Sequence, residues 1–220
     1  MSESAIREMK EILASIPNDV CSGTQPAFLY RLSYETKGEG EVVEIGTNIG
    51  ISAIALAYGR KVKNGKPIYS IDIYEHHHIK NNLEKAGVAD YVDRIVLPSH
   101  KAAGKWRKPI ELLWIDGAHS YRGVCSDIRN WIDFVMEGGI IAFHDYPGYR
   151  CSKEVWKALR KYIFKEPYRY RVISDREAGS IIAFRKIGPG IAKKSPGKKF
   201  KERLYWMYRN ARTSMVRYFP

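Results

Sequence analysis

The stretch Leu113-Trp114-Ile115-Asp116-Gly117-Ala118-His119-Ser120-Tyr121 opens as an apolar strand, then presents a carboxylate, a glycine, an imidazole and a phenol within six residues. An unbroken apolar run that turns polar and then becomes helical is the pattern of a buried parallel strand entering its crossover helix. The same pattern recurs along the chain. Glu41–Ile45, Pro67–Asp72, Arg94–Leu97, Glu111–Asp116 and Ile140–His144 read as strands. Helical patterns follow over about 50–58, 76–86, 121–136 and 152–164, with a short irregular helix behind the third strand. Two further helical patterns, 3–15 and 25–36, precede the first strand and end at Lys37-Gly38-Glu39-Gly40. Near the end, Tyr168–Ile173 and Ser180–Arg185 are separated only by Ser174-Asp175-Arg176-Glu177-Ala178-Gly179. That link is too short for a crossover, so the two runs must form a hairpin. The expectation is an α/β three-layer sandwich around a mostly parallel seven-stranded sheet, with one antiparallel strand supplied by the C-terminal hairpin. In such sheets ligands sit outside the carboxyl ends of the strands.

Composition narrows the surroundings. The 220 residues suffice for one core with an appendage, at 45% hydrophobic and 28% charged. No apolar run approaches the roughly 18 residues needed to span a bilayer. The opening MSESAIREMKEILASIP reads as an amphipathic helix, not a signal peptide. Cys21, Cys125 and Cys151 form no CxxC pair, which points to a reduced, cytoplasmic setting with Cys125 and Cys151 as packing residues. The net charge of +13 is uneven: residues 186–220 hold ten basic and one acidic side chain, the rest 27 basic and 23 acidic. Three parts follow: N-terminal helices (1–37) on the acceptor side, a ligand-binding domain (38–187), and a basic linker with an amphipathic helix (188–220). In that tail Phe200, Leu204, Met207, Tyr208, Ala211, Met215 and Tyr218 share one helical face, opposite Lys201, Arg209, Arg212 and Arg217. Its apolar face suits the inner membrane surface, its own domain or a second subunit. Nucleic acid is a weaker reading, because the rest of the chain is nearly neutral.

Strand one ends in Glu44-Ile45-Gly46-Thr47-Asn48-Ile49-Gly50-Ile51-Ser52. A dinucleotide fingerprint would carry glycine where Asn48 stands, and a phosphate loop would close on Gly-Lys-Ser/Thr. Neither is present, so the loop suits close approach of an uncharged or cationic group. Asp72 ends strand two, 26 residues beyond Gly46, where it is placed to accept ribose hydroxyls. Glycine loop and ribose acid together fit S-adenosylmethionine, an adenosine without phosphate. Residues 38–187 resemble the class I S-adenosylmethionine-dependent methyltransferases, whose fold is Rossmann-like. The resemblance implies a cofactor site of Glu44, Gly46, Thr47, Asn48, Gly50, Ser52, Asp72, Ser99 and Asp116, with Ser99 at the adenine.

Asp116 with His119 and Tyr121, then a helix, Gly138-Gly139 and His144-Asp145-Tyr146, is similar to the O-methyltransferases that modify sugars and other secondary-metabolite hydroxyls. That resemblance places Asp116, His144 and Asp145 at positions that hold Mg²⁺ or Mn²⁺. Histidine at 144 replaces the usual acid, and Tyr146 replaces the asparagine of catechol-type relatives. Neighbouring carboxylates at strand ends about 4.8 Å apart would themselves call for a cation between them. His119 and Asp116 are the candidate catalytic residues, His119 as general base toward a hydroxyl of a sugar, glycan or small metabolite. Tyr30, Tyr34 and Tyr149 are candidates for the acceptor side. The triplet His76-His77-His78 cannot converge on one ion from a helix, where successive side chains diverge by about 100°. Trp131 and Trp156 fall at core spacing. The rival readings are an RNA methyltransferase, and a non-catalytic methyltransferase-like scaffold held at a membrane by its tail.

Overall fold

The computed structural model describes residues 3–16, 24–146, 152–174 and 178–188. Its strands are β1 (Glu41–Ile45), β2 (Ile68–Asp72), β3 (Val92–Val96), β4 (Ile110–Ile115), β5 (Val135–Phe143), β6 (Tyr170–Val172) and β7 (Ile182–Lys186). They form one sheet in the order β3-β2-β1-β4-β5-β7-β6. The first five run parallel, and β7 runs antiparallel to both β5 and β6. The expected Rossmann-like sandwich with one reversed strand is therefore the observed fold.

Alternation along the strands divides the core in two. On β4, Leu112 and Trp114 face one layer while Leu113 and Ile115 face the other. The first layer holds α1 (Glu3–Ala14), α2 (Gln25–Tyr34), α3 (Ile51–Val62) and α4 (Ile79–Lys85); the second holds α5 (Ser99–Lys105), α6 (Tyr121–Trp131) and α7 (Ser152–Tyr162). Every residue of β4 is buried, as the centre of a doubly covered sheet requires. Each fully buried branched side chain contributes about 1.5–3 kcal/mol.

Helices α1 and α2 share the core of α3. A Cβ on Gly59 would stand 2.7 Å from the Tyr30 carbonyl oxygen, so glycine permits the close approach of α2 and α3. Tyr30 is fully buried there and stacks on Tyr34 at 5.9 Å. Neither residue is among those that line the cavity at the strand ends. Tyr149, Cys21, Cys151 and the basic tail from 189 onward lie outside the described residues. Cys125 is buried among apolar neighbours, and Trp131 is a core residue, with Trp156 packed against the same cluster. No helix among the described residues is long and apolar enough to cross a membrane.

Several boundaries differ from the sequence reading. The helix expected through Met136 ends at Trp131, a 3₁₀ turn spans Ile132–Phe134, and β5 begins at Val135. Val135 pairs with Ile110 at the start of β4, and the β4–β5 register shifts before Leu112. Gly138 and Gly139 thus lie in an irregular stretch of β5, Gly138 at φ +80°, and do not terminate a helix. His76–His78 precede α4, which starts at Ile79. One long-range contact has no sequence signature. The Glu111 carboxylate accepts the backbone N–H of Lys37 and those of Gly38, Glu39 and Gly40 at 2.8, 3.1 and 3.4 Å, which fixes the entry into β1.

Candidate active site

Hydrogen bonds continue past the strand ends and lace the site together. Gly46 N–H donates to Ile71 O at 2.8 Å, Asp116 N–H to Ile45 O at 2.8 Å, and His144 N–H to Ile115 O at 3.1 Å. Gly46 has φ +93°, and a Cβ there would fall 2.2 Å from the Asp116 carbonyl oxygen. Only glycine allows the loop after β1 to pass this close to the end of β4. Asn48 is also left-handed, at φ +48°.

Asp72 organises the loop from the next strand end. Its Oδ2 accepts Thr47 N–H at 2.9 Å and Asn48 N–H at 3.0 Å, and its Oδ1 accepts Tyr74 N–H at 3.2 Å. Burial raises its pKa, but these three donors and the charge of His76 outweigh that and leave it lowered. His76 Nε2 lies 3.7 Å from Asp72 Oδ2, so the first histidine of the triplet borders the site.

Glu44 does not reach the cavity. It is fully buried beneath the loop, where its Oε2 accepts Ser70 O–H at 2.5 Å, and Thr47 O–H donates to Ser70 Oγ at 2.6 Å. Burial pushes the Glu44 carboxyl up to about 7, against hydrogen bonds from Ser52 and Ser70. Glu44 supports the loop from below and is not among the residues that line the cavity. Gly50 is also absent from the cavity wall: at φ +94° it starts α3, and a Cβ there would stand 3.3 Å from Ile79 of α4. Both were expected at the cofactor because the sequence shows proximity along the chain but not which way a side chain faces.

The loop opens on a cavity of about 770 Å³, lined by Gly46, Thr47, Asn48, Ser52, Asp72, Ser99, Asp116, His119, His144 and Asp145 among others. This lies within the usual range for small-molecule sites. Gln25, His100 and Asp127 also line it, as do Ile73 and Tyr74 at an exposed rim. Among the described residues no lysine or arginine lines the cavity, while Asp72, Asp116, Asp127 and Asp145 do. A wall with acids and without fixed cations disfavours phosphate and suits an uncharged nucleoside joined to a cationic group.

At the β4–β5 end, His119 Nδ1 lies 2.9 Å from Asp145 Oδ2. His119 is not the cap of α6; the Ser120 hydroxyl accepts Gly123 N–H at 3.2 Å and fills that role. The hydrogen bond to Asp145 raises the His119 pKa, with Asp145 and Asp116 charges adding to it against burial. For Asp145, burial acts upward, but His119 and His144 leave its pKa lowered.

His144, Asp116 and Asp145, expected to converge on Mg²⁺ or Mn²⁺, converge on one another. His144 Nδ1 lies 3.0 Å from Asp116 Oδ1 and 3.4 Å from Asp145 Oδ1, and its Nε2 lies 3.0 Å from Gln25 Oε1. Gln25 Nε2 donates to Ser180 Oγ at 3.0 Å, which turns Oε1 toward the ring. Burial lowers the His144 pKa, yet the hydrogen bond and charge of Asp116, with the charge of Asp145, leave it raised. A ring nitrogen donating to a carboxylate has no lone pair for a cation, and the other Asp145 oxygen is held by His119. Among the described residues no group of three His, Cys, Asp or Glu side chains is arranged to hold a metal ion. This donor set does not fit a divalent cation; the imidazole of His144 fills the space between the two carboxylates.

Gln25 and Asp127 escaped the sequence reading. Gln25 arrives from a helix far away in the chain and left no local sign. Asp127 was legible in principle, since an acid on the stripe Val124, Ile128, Trp131 breaks the apolar face of α6.

A sheet in this order, with a glycine loop over the first strand end and an acid on the second, defines the class I S-adenosylmethionine-dependent methyltransferase fold. The sequence agrees: residues 43–146, from β1 to just beyond β5, match the model of a family described as a methyltransferase domain. An uncharacterized protein of Acanthamoeba polyphaga mimivirus is 31% identical over 144 residues. That match covers 60% of this chain and 65% of the relative, so the chain spans just under two thirds of its length. Two solved structures are similar in fold. An O-methyltransferase from Bacillus cereus in complex with SAH matches with TM-score 0.61 and 19% identity, over 84% of this chain and 92% of that one. An O-methyltransferase of tomaymycin synthesis from Streptomyces achromogenes, in complex with SAM, matches with TM-score 0.60 and 16% identity, over 86% and 92%.

Proposed function

We propose that this protein transfers the methyl group of S-adenosylmethionine to a hydroxyl oxygen of a small molecule, with sugars, glycans and secondary metabolites as the acceptor class. The observation that carries the reading is the His119–Asp145 pair at one end of a cavity whose adjoining walls are the Gly46 loop and Asp72. The names of the Bacillus and Streptomyces neighbours support oxygen as the acceptor atom.

S-adenosylmethionine, when bound, supplies an electrophilic methyl on a sulfonium. Gly46, Thr47, Asn48, Ser52 and Asp72 are the residues that would hold it, with Asp116 at the end of β4. Asp145 keeps a proton on His119 Nδ1, which leaves Nε2 as the free base. His119 Nε2 takes the proton of the acceptor hydroxyl as its oxygen bonds to the methyl carbon. A bound sulfonium would release the methyl with the carbon–sulfur electron pair kept on sulfur, so the positive charge would come to rest on the His119 imidazolium. General-base assistance of this kind contributes about 10²–10⁴-fold. No step requires a divalent cation.

Calorimetric titration with S-adenosylhomocysteine tests the cofactor half. Micromolar binding is expected for the wild type, with a loss of about 100-fold in Asp72→Ala, which removes the acceptor of three backbone donors. A screen of hydroxyl acceptors, read by mass spectrometry for a gain of one methyl, tests the other half. Absence of S-adenosylhomocysteine binding to the wild type would overturn the reading.

A further inference from the structure

Asp145, the partner of His119, has a second neighbour whose own support comes from distant parts of the chain. His144 stands beside two carboxylates, with Nδ1 3.0 Å from Asp116 Oδ1 and 3.4 Å from Asp145 Oδ1. Held at one nitrogen alone, an imidazole can still swing about its side-chain bonds. A contact at the other nitrogen prevents that.

Gln25, the first residue of α2, sets its Oε1 3.0 Å from His144 Nε2. An amide oxygen only accepts, so the ring nitrogen donates. The amide is itself held, because its Nε2 donates to Ser180 Oγ at 3.0 Å. Ser180 O accepts Tyr146 N–H at 2.8 Å, which ties the segment before β7 to the chain just past His144. The stem of Gln25 is gripped as well. Gly179 has φ +62°, and a Cβ there would stand 2.9 Å from Gln25 Cγ, so glycine lets that segment close over the side chain. His144 and Ser180, 119 and 155 residues beyond Gln25, thus meet on one amide. The contacts form a line of Ser180, Gln25, His144, Asp145 and His119, ending in the pair to which proton transfer is assigned.

We propose that Gln25 is a positioning residue: its amide oxygen fixes the His144 ring between Asp116 and Asp145, and the fixed ring holds Asp145 in the geometry that orients His119. The inference rests on the role proposed for His119 and adds the residue that sets its orientation from another helix. Asp145 needs support of this kind, because its backbone is left-handed at φ +56° and one of its oxygens is taken by His119. A misplacement of about 1 Å at such a pair costs about 10²-fold in rate.

The test is nuclear magnetic resonance of the full chain, isotopically labelled at the histidine ring nitrogens, without ligand and at a pH where His119 is neutral. Which nitrogen carries the proton is set by the hydrogen bond made there. In the wild type the proton of His119 is expected on Nδ1, and His144 is expected to show an Nε2–H signal slow to exchange with water. Gln25→Met keeps the length of the stem and removes both amide bonds, while Gln25→Asn keeps the amide and shortens its reach. In each, the His144 signal is expected to be lost to exchange, and His119 to become a mixture of its two tautomers. Gln25→Glu retains an oxygen that accepts from His144 and from the Ser180 hydroxyl, and is expected to preserve both signatures. A merely structural glutamine would lower thermal stability in the first two variants and leave the His119 tautomer as it was. An unchanged His119 tautomer in Gln25→Met and Gln25→Asn overturns the inference, as does loss of both signatures in Gln25→Glu. Absence of the His144 Nε2–H signal in the wild type overturns it without any variant, so failure of a substituted chain to fold does not rescue the proposal. Absence of S-adenosylhomocysteine binding to the wild type would overturn the proposed function and leave these ring signals as they are, a distinct outcome.

Discussion

His119 Nδ1 meets Asp145 Oδ2 at 2.9 Å, and Asp145, two residues past β5, has φ +56°. Left-handed backbone at a non-glycine residue costs about 1–3 kcal/mol. It persists here where hydrogen bonds hold the carboxylate between His119 and His144. The pair therefore has the form of a base with its orienting acid.

That pairing sets the pH dependence. His119 must be neutral to accept a proton, and Asp145 holds its pKa above the ordinary 6.5. The acidic limb of the kcat profile is therefore expected above pH 6.5, and Asp145→Asn should move it downward while lowering kcat about 10²–10⁴-fold. His119→Ala should lose kcat by a similar factor and leave S-adenosylhomocysteine affinity within a few-fold. An acidic limb that stays put in Asp145→Asn would remove His119 as the base. The same raised pKa contributes stability that is complete below about pH 6.5 and disappears as pH rises through the folded-state value.

Gly46→Ala should close the site. The new methyl would overlap the Asp116 carbonyl oxygen at a left-handed φ, so a loss above about 2 kcal/mol in unfolding free energy is expected. Thermal denaturation and S-adenosylhomocysteine titration read the two effects. Unchanged binding would mean that the loop does not pass where the structure has it.

Glu44 offers a stability test free of the chemistry. Its folded-state pKa of about 7 lies above the ordinary 4.5, so the native state holds its proton longer than the unfolded chain does. Stability is lost on this account as pH rises from about 4.5 to 7. Glu44→Gln abolishes that loss, and its unfolding free energy should fall less than the wild type's between pH 5 and pH 8, by up to about 3 kcal/mol. Parallel curves for the two proteins would place the Glu44 carboxyl in water.

Metal removal should change little. With His144 bridging Asp116 and Asp145, excess EDTA is expected to leave both S-adenosylhomocysteine affinity and methyl transfer intact, and Mn²⁺ should show no stoichiometric binding by electron paramagnetic resonance. His144→Asp restores two converging carboxylates beside Asp116 and should create Mn²⁺ affinity. Tight Mn²⁺ binding by the wild type would reverse this conclusion.

Much of this was legible before any fold was known, for reasons that are local. A strand that alternates between two helical layers, a glycine where the backbone must turn left-handed, and a polar residue just past an apolar run are encoded within a few residues. Hence β1, β4, the Gly46 loop, Asp72 and the His119-bearing turn were identified from the chain itself. Boundaries governed by pairing were not: β5 begins at Val135 because Ile110 lies beside it, and Gly138-Gly139, which look like a helix stop, lie in a register shift. The metal expectation meets no ready group of ligands among the described residues for a similar reason. The residue types suited a cation, but which atoms face one another depends on Gln25 arriving from α2, 119 residues before His144.

The sequence by itself determined the class of fold and the polar residues that gather at the strand ends, because each depends on backbone conformation or chemistry within one β-strand and the turn after it. Only the tertiary structure decided that Glu44 is buried beneath the loop and away from the cavity wall, that His144 stands between Asp116 and Asp145, and that Asp127 lines the cavity from α6. Those facts concern the direction of side chains across elements, and that direction is set by packing between segments distant in the chain.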